Sequence, residues 1–177
     1  MNCVSTTAIW VTASGFSKLQ QQLAHKQQEY AQVREHRQVA FELSGDGWHD
    51  NPEFNRMQQL EANLNHTVKL LTDQLEQARV FEIVDGARPI HEVAIGAVVK
   101  LQRWPEDADQ PTTETWEIVG FEETDLFTQK LAYNAPLAAA VYGLHVGDVA
   151  ESVRIGSRLW DIEVVALYPC RQDAGLA

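Results

Sequence analysis

Two long stretches with helical spacing dominate the first half of the chain, and the polar segment 44–54 separates them. In each stretch, side chains suited to a coiled-coil seam recur at alternating intervals of about three and four residues. The first seam is Phe16, Leu19, Leu23, Lys26, Tyr30, Val33, Arg37 and Ala40. The second is Met57, Leu60, Leu64, Val68, Leu71, Leu75 and Ala78, with one irregular four-four step from Leu64 to Val68. Because the connection is short, we expect the two helices to pair as an antiparallel hairpin.

The segment between the seams carries turn and capping signals. Gly45 and Gly47 supply the turn, while Asn51 followed by Pro52 predicts an N-cap and a proline at the first position of the second helix. Arms of about 30 residues, rising about 1.5 Å per residue, are roughly 45 Å long. The hairpin would therefore place its tip far from the rest of the protein.

The predicted tip is acidic, since it holds Asp46, Asp50 and Glu53. Carboxylate oxygens are ligands that Mg²⁺ prefers. Each acid also has a structural explanation, because an aspartate after a glycine favours turns and a glutamate in the first turn of a helix favours its positive end. The three acids together are more informative than any one of them. They indicate a function that is performed at the tip of the hairpin, far from the sheet domain.

Charge argues against binding of duplex nucleic acid by the protein alone. The formal net charge is −11, and residues 81–177 hold 7 Lys and Arg against 16 Asp and Glu. Such a surface would not neutralise phosphates, so a protein partner is favoured. A basic stripe of Arg34, Arg37, Arg56 and Lys69 along the hairpin is more typical of a solvated coiled-coil surface than of an RNA guide. With no long apolar run and no signal-peptide pattern, we expect a soluble, cytoplasmic protein without membrane contact.

The second half changes to short strands rich in valine, isoleucine and aromatic residues, with a Gly156-Ser157 hairpin turn and one short helix over 135–142. The predicted strands are 93–104, 115–121, 149–155 and 159–168. We therefore predict an α+β protein with a helical hairpin over residues 1–81 and a small antiparallel sheet domain over 82–177.

This order of parts resembles the bacterial GreA/GreB transcript-cleavage factor family over residues 12–168. The local carriers are Gly-Phe-Ser-Lys-Leu at 15–19, Gly45-Asp46 followed by Asp-Asn-Pro-Glu-Phe at 50–54, Ile-Gly-Ala-Val-Val at 95–99, Asn-Ala-Pro-Leu-Ala at 134–138, and Gly147-Asp148. The tip is similar to the family pattern Gly-Asp-x-x-Glu-Asn-Ala-Glu-Tyr. It has one additional residue between Asp46 and the Asp-Asn-Pro-Glu block.

The resemblance implies an FKBP-like sheet domain that docks on the rim of the RNA polymerase secondary channel through Asn134, Pro136 and Leu137. It implies that the hairpin enters the channel and that Asp46 and Asp50 help to hold a catalytic magnesium ion shared with the polymerase. The polymerase itself then hydrolyses the 3′ end of backtracked RNA, so this chain would not be an enzyme and would bind no cofactor stably alone.

The resemblance also implies two regulatory alternatives, because factors of the Gfh type inhibit the polymerase with the same architecture and Rnk-like proteins bind it through a shortened hairpin. A coiled-coil adaptor unrelated to polymerase is a third interpretation. At the tip, Trp48 either stacks on an RNA base or packs back on the hairpin. His49 is of a metal-ligating type, but an exposed loop histidine is usually only solvated. Glu53 is a further candidate tip contact.

Overall fold

The computed structural model describes residues 8–105 and 110–176, apart from the side chain of Asp46. The chain forms two compact units. Phe16–Ala78 make up one, and Ile9–Gly15 with the described residues from Arg79 onward make up the other. None of the helices in these ranges is both long enough and apolar enough to cross a membrane.

The first unit is the predicted antiparallel hairpin. Helix α1 spans Ala13–Ser44, a 3₁₀ helix spans Gly45–Asp50, and helix α2 spans Pro52–Gln77. Val33 packs with Met57 and Leu64, and Tyr30 lies against this cluster. Every position of the first predicted seam is buried or half-buried. The sequence-based pattern of α1 is therefore confirmed.

The second seam differs from its prediction at one position. Leu60 is 38% exposed, whereas the side chain of Glu61 is only 16% exposed and lies 2.8 Å from Arg37 Nε through its Oε2. With Glu61 in place of Leu60, the seam keeps regular three-four spacing and contains no stutter. The prediction was wrong here because Leu60 was assigned to the seam as an apolar residue. Glu61 occupies that position instead, since it pairs with Arg37 of the other helix.

The second unit holds β1 (Ile9–Val11) and the start of α1. The backbone N–H of Gly15 donates to Thr12 Oγ1 at 3.1 Å, while Thr12 donates to Glu123 Oε1 from its N–H at 2.8 Å and from its hydroxyl at 2.9 Å. A Cβ on Gly15 would lie 1.7 Å from Glu123 Oε1. A residue other than glycine would therefore have to displace the Glu123 carboxylate from its hydrogen bonds with Thr12.

The main sheet has five strands in the order β5-β4-β3-β7-β6. They are β3 (Val98–Pro105), β4 (Thr112–Val119), β5 (Lys130–Ala132), β6 (Val149–Ile155) and β7 (Arg158–Tyr168), and a two-stranded sheet joins β1 to β2 (Ala78–Val80). All neighbours in the main sheet are antiparallel except β4 and β5. The α+β class is confirmed, but β5 and its parallel pairing were not predicted. Strand β3 also begins later than expected.

The core of this unit lies between the sheet and the short helix α3 (Pro136–Val141). Its buried side chains are Val93, Val99, Leu101, Ile118, Leu131, Leu137, Ala138, Val141, Ile162 and Val164. Strands whose apolar side chains point to one face, covered by one short helix, account for this packing.

An ion network lies within the same unit. Glu117, which is 3% exposed, accepts hydrogen bonds from Arg88 Nη1 at 2.8 Å and from Arg171 Nη1 at 2.6 Å. Burial tends to lower the pKa of Arg88, but hydrogen bonds and charges from Asp85 and Glu117 raise that pKa above its ordinary value. Burying a carboxylate without partners is strongly destabilising, so the burial of Glu117 depends on its pairing with Arg88 and Arg171.

Candidate functional site at the hairpin tip

The turn of the hairpin is a short 3₁₀ helix rather than an irregular loop. Gly45 has a φ of 53°, a left-handed conformation that glycine adopts without strain. The chain then makes the 3₁₀ helix and closes it with a hydrogen bond from Asn51 N–H to Trp48 O at 3.2 Å. Backbone hydrogen bonds therefore give the tip a defined shape.

Asn51 connects the ends of both helices. Its Oδ1 accepts hydrogen bonds from the N–H groups of Glu53 at 2.9 Å and Phe54 at 3.4 Å, which is the predicted N-cap. Its Nδ2 donates to Ala40 O at 3.3 Å and to the hydroxyl of Ser44. The cap was predictable from the Asn-Pro pair, whereas the bonds back to α1 depend on tertiary structure. One amide thus fixes the start of α2 against the end of α1.

Three aromatic side chains pack behind the turn. The ring centroid of Trp48 lies 5.8 Å from that of Phe41 and 5.1 Å from that of Phe54, which is 6% exposed. The His49 ring lies 3.4 Å from the Trp48 ring. Aromatic pairs at these separations are stabilising beyond the area they bury. Of the two alternatives for Trp48, the structure has the packed one, with the side chain half-buried against Phe41 and Phe54.

Two acidic side chains of the tip, those of Asp50 and Glu53, are described by the structure. Asp50 and Glu53 are exposed, and the nearest cation to Glu53 is Arg56, whose Nη1 lies 4.0 Å from Glu53 Oε2. The carboxylate of Asp50 makes no hydrogen bond or ion pair with the described side chains. The predicted metal ligand Asp46 lies within the 3₁₀ helix, and its side chain is outside the described atoms. Among the described residues, no group of three or more His, Cys, Asp or Glu is arranged to hold a metal ion.

An open apolar groove lies beside the tip. It has a volume of about 310 Å³ and is lined by His36, Val39, Ala40, Leu43, Asn51 and Glu53. Leu43 is 82% exposed and Val39 is 47% exposed, so one side of the hairpin end presents apolar surface to solvent. This surface was not predicted from the sequence, although Val39 and Leu43 are spaced to share a helix face.

The basic residues along the hairpin mostly face acids. Glu61 lies 2.8 Å from Arg37 and 3.7 Å from Arg34, and Arg56 is near Glu53. Lys69 is exposed. This arrangement fits the coiled-coil surface that the sequence favoured over an RNA guide.

The predicted docking residues of the second unit occupy different environments. Asn134 is exposed and its Oδ1 accepts a hydrogen bond from Glu122 N–H at 3.3 Å, and Pro136 is exposed at the first position of α3. Leu137, in contrast, is 8% exposed and belongs to the core. Its side chain therefore offers little apolar surface for the docking role that the resemblance implied, and a charge at this position would be buried in the core.

The two units together, a two-helix hairpin with an acidic turn and a small sheet domain with one covering helix, define the class of protein. Residues 88–168 match the family model described as "Transcription elongation factor, GreA/GreB, C-term". That segment is therefore similar to the C-terminal domain of the GreA/GreB transcription elongation factors. The resemblance found in the sequence is thereby confirmed.

Proteins named transcription elongation factor GreA are similar to this chain over most of its length. The chain is 28% identical over 158 residues to the transcription elongation factor GreA of Allorhizobium ampelinum, covering 88% of this chain and 94% of that protein. It is 27% identical over 164 residues to GreA of Rickettsia felis, covering 88% and 92%. Among solved structures, the GreA factor homolog 1 protein of Thermus thermophilus is 23% identical, with a TM-score of 0.41 and coverage of 91% and 99%.

Proposed function

We propose that this chain is a transcription elongation factor that binds RNA polymerase, inserts the hairpin tip into the secondary channel and stimulates hydrolysis of backtracked RNA. The polymerase would supply the active site, so the chain would be an accessory factor rather than an enzyme. Its partners would be the bacterial polymerase and the RNA 3′ end within that complex. Such a partner implies a cytoplasmic location.

The observation that carries this proposal is the exposure of Asp50 and Glu53 on either side of the rigid Asn51 cap. The Asp50 carboxylate has no ion-pair partner among the described side chains, and that of Glu53 faces Arg56 at 4.0 Å. Both are exposed at the end of a two-helix hairpin, where a narrow partner site can receive them. The Asn51 hydrogen bonds and the aromatic packing limit movement of the turn. A ligand set that is fixed before binding loses less conformational entropy on binding.

The residues fit a shared magnesium ion rather than a complete metal site. Mg²⁺ is commonly held by one or two carboxylates together with water and phosphate oxygens. Asp46 and Asp50 would supply those carboxylates, with the remaining ligands coming from the polymerase and the RNA. When bound, the ion would stabilise charge on the attacking and leaving oxygens. The role of this chain is to bring the carboxylates and to keep the turn around them ordered.

A cleavage assay on a stalled, backtracked elongation complex tests the proposal. The wild-type protein should produce shortened transcripts that keep their 5′ label. Asp46→Asn and Asp50→Asn preserve shape but remove charge, so each should lower the cleavage rate by orders of magnitude while polymerase binding persists. Glu53→Gln serves as the matched control and should cost less, because Glu53 also has a helix-end role. Equal rates for all the variants would contradict the assigned roles of the aspartates.

The additional residue at the tip has its own test. Deleting Gly47 restores the spacing that the resemblance implies between Asp46 and the Asp-Asn-Pro-Glu block. If the wild-type protein is inactive in cleavage and the deletion variant is active, the extra residue is what disables it. If both bind the polymerase and neither cleaves, spacing is rejected as a sufficient cause.

The alternative is a channel-binding regulator that inhibits the polymerase without cleavage, and the apolar groove beside the tip favours it. Val39 and Leu43 would pack against the protein wall of a channel and retain the hairpin there without any metal chemistry. Arrested extension without shortened transcripts would support this function. Leu43→Ser should then relieve the arrest, whereas Asp50→Asn should not.

A further inference from the structure

The turn between β4 and β5 presents two apolar side chains to solvent. Phe127 is 101% exposed and Leu126 is 68% exposed. Among the large apolar side chains of the described residues, Phe127 has the greatest exposed fraction. Scattered exposed apolar residues are common, but two neighbours at the end of one turn are a less ordinary arrangement.

The backbone of this turn is extensively hydrogen-bonded. Asp125 and Lys130 exchange backbone hydrogen bonds at 2.9 and 2.8 Å. The carboxylate of Asp125 accepts from Phe127 N–H at 3.0 Å and from the Thr128 hydroxyl at 2.8 Å. Gln129 adopts a φ of 53° and donates its N–H to Leu126 O at 3.4 Å. These bonds define the path of the chain without using either apolar side chain.

The base of the turn is attached to the buried ion network. Arg171 donates to Thr128 O through Nη2 at 3.0 Å, and Glu117 N–H donates to Gln129 O at 2.9 Å. The same Arg171 donates to the buried carboxylate of Glu117 through Nη1. The fold therefore holds the turn in one conformation through hydrogen bonds that do not involve the side chains of Leu126 and Phe127. Preorganised, exposed apolar side chains are suited to anchor a partner, because little conformational freedom is lost on binding.

Charge restricts the chemistry of that partner. Asp125 directly precedes the apolar pair and Lys130 closes the same turn, while residues 81–177 as a whole have a formal net charge of −9. Phosphates of nucleic acids and anionic lipid headgroups would be repelled by this surface, and so would a second copy of the same unit. A protein pocket with apolar walls and a basic rim is complementary to it.

We infer that the Leu126–Phe127 turn is a docking element that inserts into an apolar, basic-rimmed pocket on the polymerase. The identity of the partner rests on the proposed function. Leu126 and Phe127 differ from the predicted docking residues Asn134 and Pro136, although Asn134 is hydrogen-bonded to Glu122 of the same β4–β5 connection. They would supply the apolar contact that the buried Leu137 does not.

Binding of labelled protein to purified core polymerase tests this inference. Leu126→Ser combined with Phe127→Ser should lower the affinity by roughly 10- to 100-fold, as expected for loss of two anchor side chains. Val84→Ser is the matched control, because Val84 is a 56% exposed apolar residue of the same unit. It should leave affinity unchanged. Both proteins should keep the wild-type melting temperature, since the altered side chains are exposed.

A second variant tests the rigidity of the turn. Asp125→Ala removes two hydrogen bonds but keeps both apolar side chains, and it should lower the affinity by a smaller factor. Asp125→Asn, which retains an acceptor for Phe127 N–H, should restore part of that loss. Higher salt should weaken binding of the wild-type protein, because the proposed rim is basic.

The outcomes are distinct. Wild-type affinity in the double variant, with the wild-type protein itself binding, overturns this inference and leaves the proposed function standing. Absence of polymerase binding by the wild-type protein overturns both. A wild-type dimer in sedimentation that becomes a monomer in the double variant overturns the inference in favour of self-association.

Discussion

The hairpin and the sheet unit are stabilised in different ways. The sheet unit contains a cluster of ten buried apolar residues, of which eight have no exposed surface. The hairpin has a buried cluster of only three, Val33, Met57 and Leu64, and an ion pair occupies one layer of its seam. Two paired helices bury one face each, whereas a sheet covered by a helix encloses its core. One chain thus combines a unit with a large buried core and a unit with a small one, and the smaller core predicts lower stability for the hairpin.

This difference suits the functions that we propose. A docking unit needs a fixed surface, which a well-packed core provides. A hairpin that enters a partner needs to be ordered mainly at its tip, and Asn51 and the aromatic side chains order the tip here. We expect the two units to respond to substitution separately, and the following predictions test that separation.

The largest effect should come from Leu137→Glu in the core of the sheet unit. An unpaired charge at this buried position should destabilise the unit by about 3–5 kcal/mol. Unfolding followed by tryptophan fluorescence and by near-ultraviolet circular dichroism measures the loss. The hairpin should retain its helical signal.

Ala139→Glu is the control for that substitution, because Ala139 is an exposed residue of the same short helix. It should change the free energy of unfolding by less than about 0.5 kcal/mol. If the two variants were equally stable, the assigned burial of Leu137 would be wrong.

A smaller effect is expected for Leu64→Asp in the hairpin. Loss of the side chain and partial burial of a charge should cost about 2–3 kcal/mol, enough to melt the pairing of the arms while the sheet unit stays folded. Helix content from far-ultraviolet circular dichroism should fall. Leu70→Asp on the same helix is the control, since Leu70 is 48% exposed and should tolerate the change.

Breaking the ion pair between Arg37 and Glu61 should lower the stability of the hairpin by less than Leu64→Asp does. Glu61→Gln leaves Arg37 without its closest acid and should cost about 1–2 kcal/mol. Arg37→Met combined with Glu61→Leu should recover this loss, because a packed apolar pair can replace ions of this kind. Denaturant midpoints of the single and double variants measure the coupling. Additive losses would show that the two side chains do not act as a pair.

The smallest effect concerns pH and the β4–β5 turn. The hydrogen bond from Thr128, supported by the N–H of Phe127, holds the pKa of Asp125 below its ordinary value of 3.8. A lowered native pKa means that the contribution is present above pH 3.8 and disappears as pH falls through the native value. The amide shifts of Phe127 and Thr128 should therefore titrate with a midpoint below 3.8. A midpoint above it would contradict the hydrogen bonding.

The sequence predicted those parts of the fold that local spacing determines. The seam of α1, the Asn51 cap and strand β6 follow from helix periodicity, capping chemistry and β-branched composition. Leu60 was wrongly placed in the seam because Arg37, which favours Glu61 there, lies on the other helix. The three-residue strand β5 was missed because its parallel pairing with β4 is a long-range contact.

The candidate site was predictable in position more than in detail. The acidic turn was found from Asp50 and Glu53, whereas the packing of Trp48 and the second role of Asn51 required tertiary contacts. Leu137 was assigned to the surface for the same reason, because its burial depends on tertiary contacts. An apolar residue after a proline at a helix start is compatible with either a surface or a core, and the sequence does not distinguish them.

The salt-bridge network around Glu117 has a practical consequence for defining the domain. The family match ends at residue 168, yet Arg171 lies beyond that limit and makes contacts with Glu117 and Thr128. An expression fragment trimmed to the boundary drawn from homology would remove one of two guanidinium partners from a buried carboxylate and release the base of the Leu126–Phe127 turn. Fragment ends chosen for crystallisation or isotope labelling should therefore extend past Arg171.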